Sequence, residues 1–187
     1  MTIQKRLFFL LGALSVPALP VPALTTAARA TPVEDKPSFP TISYWDNWTD
    51  PQGVTHLTKC KMSTFHEDSS APTEAPDADK VMLSTPHDGP ATVTIRVQPP
   101  HWKGGWNESH QVQWIVPLSG IYFVKAMDGT SVELNPGDVL LSEDVAPVAH
   151  GTDPKGHQSG NVGDAAVALQ ILKFGEATPS HVPCQGQ

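Results

Sequence analysis

The chain has 187 residues, 39% of them hydrophobic and 17% charged, with 12 Lys and Arg against 19 Asp and Glu and a net charge of −7 at neutral pH. That acidic balance excludes an electrostatic binder of nucleic acid or anionic membrane, since both need a basic face. The length suits one domain better than two, and 19 prolines argue against long helices.

At the start of the chain, Lys5 and Arg6 precede the apolar run Leu7–Leu14, and Ala28-Arg29-Ala30 follows. This is the pattern of a secretory signal occupying residues 1–30, with cleavage before Thr31. Pro17, Pro20 and Pro22 interrupt an apolar run already shorter than the ~20 residues a membrane span needs. The expectation is an exported protein, periplasmic or secreted, with no membrane span after processing. Residues 31–187 carry a net charge of −10. They also contain both cysteines, Cys60 and Cys184, for which an oxidising compartment predicts a disulfide. Neither cysteine has the spacing of a zinc site or a redox pair.

Residues 31–90 read as an N-terminal arm and loop-rich extension. Tyr44-Trp45-Asp46-Asn47-Trp48 is an aromatic segment expected to pack on a sheet edge or barrel face, and His66–Ala78 reads as a solvated loop. Asn47-Trp48-Thr49 and Asn107-Glu108-Ser109 are formal glycosylation sequons. From Ala91 the pattern becomes short strands. Val93, Ile95 and Val97 alternate with Thr92, Thr94 and Arg96, followed by Val112–Leu118, Ile121–Ala126, Thr130–Leu134, Val139–Ser142 and Ala165–Phe174. Asp128-Gly129 predicts a hairpin turn, where glycine supplies the positive φ, and Asn135-Pro136-Gly137 predicts a second turn. Gly104-Gly105 reads as a close turn. The fold class is all-β with little helix.

Gln113-Trp114-Ile115-Val116-Pro117-Leu118-Ser119-Gly120, with Gly137-Asp138-Val139-Leu140-Leu141 beginning seventeen positions beyond Gly120, resembles the two motifs of the cupin superfamily. The chain is more specifically similar to a group of poorly characterised exported bacterial cupin proteins, through Trp106, Glu108, Gln113–Gly120 and Lys155–Asp164. The resemblance covers residues 92–174 and extends weakly to the Trp45 region. It implies a cupin-type jelly-roll β-barrel over residues 91–187 with a C-terminal tail, and by resemblance only a homodimer. Gly120 fits the closing glycine of the first motif, while Gln113 falls in its glutamate slot. The two histidine slots fall on Asn107 and Ser109, or on Trp106 and Glu108 in the longer spacing. In the second motif His157 is favoured over its rival His150.

If residues 107–113 form one strand, Asn107, Ser109, Gln111 and Gln113 share a face inside the barrel and His110 points away. Buried amides need partners, so this row predicts a wet or ligand-holding cavity, with Trp106 and His157 beside it. The metal reading draws on His157, His150, Glu108 and Gln113, with zinc, manganese and iron not separable; neutral amides are poor ligands for such ions. Ser119-Gly120 and Ser159-Gly160 make no nucleophile elbow. His56, His66, His87, His101 and His181 read as solvated loop residues. The expected function is to hold a small polar ligand, a sugar or an organic acid, without catalysis, and Trp102, Trp106 and Trp114 suit sugar faces. The alternative is a metal-dependent cupin enzyme: an oxygenase, isomerase or lyase.

Overall fold

The computed structural model describes residues 39–72, 80–152 and 154–185; the expected secretory segment and its cleavage point lie outside them. The described residues contain strands and no helix. In chain order the strands are β1 (Ile42–Thr49), β2 (Thr55–Met62), β3 (Phe65–Glu67), β4 (Met82–Ser84), β5 (Ala91–Gln98) and β6 (Lys103–Asn107). Then come β7 (Gln113–Ser119), β8 (Ile121–Ala126), β9 (Ser131–Leu134), β10 (Leu140–Ser142), β11 (His157–Val162) and β12 (Val167–Phe174).

Six strands form one sheet in the order β2-β1-β10-β7-β12-β5, and four form a second in the order β6-β11-β8-β9. β3 and β4 make a separate small hairpin. The core lies between the two larger sheets, where Ile115, Leu140, Leu169 and Ile171 of the first meet Tyr122, Val124, Val132 and Leu134 of the second. Alternation explains which residues enter it. Along β8 the buried positions are Tyr122, Val124 and Ala126, and along β12 they are Val167, Leu169 and Ile171. The two sheets do not close into the expected barrel. Consecutive strands β5 and β6 finish as edges of different sheets, because the turn between them, closed by Trp102 N–H on the Pro99 carbonyl at 3.2 Å, carries the chain across the gap without a ladder.

The segment around Trp45 is more than a cover. β1 pairs in parallel with β10, setting Trp45 beside Leu140, and β2 continues the sheet outward. Trp45 packs against the core, so burial of its ring holds β1 in register. His66 and Glu67, expected in a solvated loop, pair with β4. Gly104 and Gly105 lie within β6 and not in a turn.

The outer face of the six-stranded sheet has its own cluster, Tyr44, Cys60, Val112 and Leu141, with Trp114 and Phe174 against it. Residues 175–185 reach this face. Cys184 is bonded to Cys60, their Cα atoms 5.4 Å apart, which ties the tail to β2. Ser180 N–H donates to Glu143 at 2.7 Å, and Cys184 N–H donates to Asp46 at 2.8 Å.

Candidate functional site

A polar row crosses the inner face of the large sheet. Thr92, Lys173, Gln113, Ser142 and Asn47 stand opposite one another in register on β5, β12, β7, β10 and β1. The neighbouring row is Ile171, Ile115, Leu140 and Trp45, so a dry core borders a polar strip one step away. Above that strip a cavity of about 320 Å³ lies between the sheets. Gln113, Lys173 and Arg96 contribute from the large sheet, and Asn107, Tyr122 and His157 from the small one.

A directional hydrogen-bond chain runs through its wall. Gln113 Nε2 donates to Ser109 Oγ at 3.2 Å, Ser109 Oγ lies 2.9 Å from Ser142 Oγ, and Ser142 Oγ donates to Asp144 Oδ1 at 3.0 Å. The other carboxylate oxygen of Asp144 accepts from His157 Nδ1 at 2.6 Å. Asp144 and Ser142 are fully buried, so the links from Ser109 to His157 are formed away from competing water and support one another, while the Gln113 link at the cavity end is half-buried. The bond to Asp144 fixes the imidazole tautomer and leaves Nε2 for other partners. Gln113 gives one N–H of its amide to Ser109, which anchors the group and leaves its Oε1 as an acceptor and its second N–H as a donor.

His157 is placed by local necessity. Gly156, immediately before β11, has φ +86°, and a Cβ there would fall 2.6 Å from the Asn107 carbonyl carbon and 2.9 Å from Glu108 Cα. Only glycine admits this approach, which sets His157 opposite Asn107 on β6 and Ala126 on β8.

The expectation that residues 107–113 form one strand fails. β6 ends at Asn107 and β7 starts at Gln113, so the two amides belong to different sheets and meet across the cavity. Between them Ser109 bridges to Val145 and breaks the alternation. His110, expected to point away, therefore borders the cavity together with Gln111, and both are exposed. Trp106 takes the parity of Gln158, opposite to that of Asn107 and His157, and does not line the cavity. Trp114 faces the outer cluster, edge-on to Tyr44 at 5.3 Å; Trp102 alone of the three indoles expected at a sugar face lines the cavity. His150 is outside, with Nε2 donating to the Gln52 carbonyl at 3.0 Å. Glu108 reaches the rim, where Lys155 Nζ holds it at 2.9 Å.

This donor set does not suit the transition metal that cupin motifs imply. The first-motif slots present neutral Asn107 and Gln113, Glu108 is engaged by Lys155, and Asp144 is committed to His157. Among the described residues no three His, Cys, Asp or Glu side chains converge as a metal site.

A larger hollow of about 540 Å³ lies on the outer face, between the tail, the β3–β4 hairpin and Trp114. Its buried acid, Glu143, is already occupied by the Ser180 amide and by Asp46, so the inner cavity is the better site. His56, expected in a loop, lies on β2 between Asp50 at 3.0 Å and Asp128 at 2.8 Å.

The segments resembling cupin motifs supply β7 and β10, which pair with Leu140 opposite Ile115. Solved structures similar to this chain include cupin domains. A cupin protein from Bacteroides fragilis (BF4112) is 21% identical over 67% of this chain and 98% of its own, with a TM-score of 0.33. The Cnp3 cupin domain of Schizosaccharomyces pombe is 14% identical over 64% and 72%, with a TM-score of 0.35. Protein NMB1881 from Neisseria meningitidis is 13% identical over 45% and 73%, with a TM-score of 0.33. No protein-family model and no curated protein matches the chain.

Sequence reasoning missed Asp144, Ser142, Arg96 and Lys173. The signal for Arg96 was present in the alternation on β5, read without its direction: Val93, Ile95 and Val97 face outward and are exposed, and Arg96 borders the cavity.

Proposed function

We propose that this is an exported, cupin-like protein that holds a small polar ligand, a sugar or an organic acid, between its two sheets without transforming it. The observation that carries the reading is the cavity of about 320 Å³, whose wall presents Gln113, Ser109, Asn107 and His157 where a dry core would present aliphatic groups. That volume lies at the lower end of the range of small-molecule pockets, and converging polar groups in such a pocket favour an oriented ligand. The buried chain from Gln113 to His157 fixes these groups before a ligand arrives, which reduces the ordering cost of binding.

The test is calorimetric titration of the protein with a panel of sugars and organic acids, repeated on Gly105→Trp. Gly105 borders the cavity and a Cβ there meets nothing within 4 Å, so the indole can occupy the space without moving the backbone. Binding by the parent protein that is lost in the folded variant supports the reading. Undiminished binding in Gly105→Trp places the ligand elsewhere and overturns it.

A further inference from the structure

The cavity collects positive charge in a chain that is otherwise acidic. Beyond residue 30 the sequence contains one arginine, Arg96, and it borders this cavity. It stands opposite the core residue Leu169 on β12, which puts it on the inner face of β5, and it lines the space together with Tyr122, a buried residue of the opposite sheet. Lys173 stands on β12 directly across from Gln113 on the same face. The two acids near the site do not balance these cations, since Glu108 is held by Lys155 and Asp144 by His157. Among the described residues neither Arg96 nor Lys173 forms an ion pair of its own.

Resting on the reading of the cavity as a ligand pocket, we infer that its ligand is a small hydroxycarboxylic acid, with the carboxylate at Arg96 in the field of Lys173 and the hydroxyl at Gln113 Oε1. A planar guanidinium pairs with a carboxylate through two parallel N–H···O bonds, whereas a neutral sugar gives an unpaired cation nothing to neutralise. A hydroxyl suits the Gln113 position because it both donates and accepts: its proton can go to Oε1, while Nε2, anchored through one N–H to Ser109, keeps its second N–H. A phosphate is disfavoured because, among the described residues, no helix N-terminus supplies backbone N–H groups for its several oxygens.

Three probes of similar size separate the contributions: malate, succinate and erythritol, titrated calorimetrically into the protein at low and at moderate salt. Malate should bind tightest, succinate more weakly and erythritol weakest, with malate affinity falling as salt rises. Arg96→Gln should weaken malate by 10- to 100-fold and leave erythritol unchanged. Arg96 is exposed on an edge strand, so the variant should fold, and an unchanged melting temperature verifies this. Erythritol binding as tightly as malate, with no response to Arg96→Gln, overturns the acid while leaving the pocket. Failure of all three probes and of the sugar panel overturns both.

Discussion

Asp46 and Glu143 are fully buried side by side beneath the tail, hydrogen-bonded to each other and to the amides of Cys184 and Ser180. Two carboxylates in such contact must share a proton. Burial, and then the charge of Asp46 against the opposing pull of the Ser180 amide, raises Glu143 from 4.5 to about 7. For this group the folded state therefore binds more protons than the unfolded one between those values, so its contribution to stability is complete below pH 4.5 and is lost as pH rises to about 7. His56 acts in the same direction over a higher range. Burial lowers its pKa, but the hydrogen bonds its ring donates to Asp50 and Asp128 outweigh that and raise it above 6.5, so its contribution is complete below 6.5 and is lost as pH rises through the folded value. Glu143→Gln should flatten the decline between pH 4.5 and 7 and make the protein more stable than the parent at pH 8. Urea unfolding across the pH range measures both; an unchanged slope in the variant would remove Glu143 from this role. Of the residues lining the cavity, Gln113 was legible from the spacing of the first motif and His157 from its place beside the Gly156 turn in a segment of family resemblance. Asp144 was not, since its role depends on the chain beyond β10 turning it toward a histidine thirteen residues later, which no local pattern records.

Among the elements, the Gly156 approach to β6 is the tightest constraint on the site. Gly156→Ala adds a Cβ against backbone and forces a positive φ on an L-residue, which should cost at least about 2 kcal/mol. Chemical denaturation checks the loss, and ligand titration of the surviving folded fraction should show weakened binding through displaced His157. The bond from Cys60 to Cys184 closes a loop spanning 124 positions, for which chain entropy allows about 5 kcal/mol, an upper figure. Replacing both cysteines by serine should lower the unfolding free energy and speed proteolysis in residues 175–185 first. Strands β7, β8, β9 and β12 were readable because apolar alternation coincides with turn residues on both sides. β1 and β2 were not. Their buried positions include Asp46 and Asn47, on opposite faces of β1, and Thr49 and Thr55, all of them polar, so the period was masked by the groups the fold later satisfies or encloses. β6 was hidden by its glycines, which carry no pattern.

For the molecule as a whole, the open side of the sandwich exposes β5 on both faces, with Val93, Ile95 and Val97 at 61%, 55% and 67% of full exposure. An eight-residue edge with an apolar row and one charge lacks the usual devices against pairing with another strand. Sedimentation should show concentration-dependent self-association that Ile95→Lys abolishes, and a monomer at every concentration would contradict this. The parallel ladder of β1 with β10 bears on time as well as space. Trp45 meets Leu140 across 95 positions of chain, so the first long strand to be synthesised cannot reach its permanent neighbour until nearly three quarters of the polypeptide exists. Until then the β1–β2 hairpin has one bare side, and assembly of the large sheet waits on distant contacts that close slowly. On the proposed export, that delay would leave the large sheet unassembled while the chain passes unfolded through a narrow passage, and would put its closure on the far side.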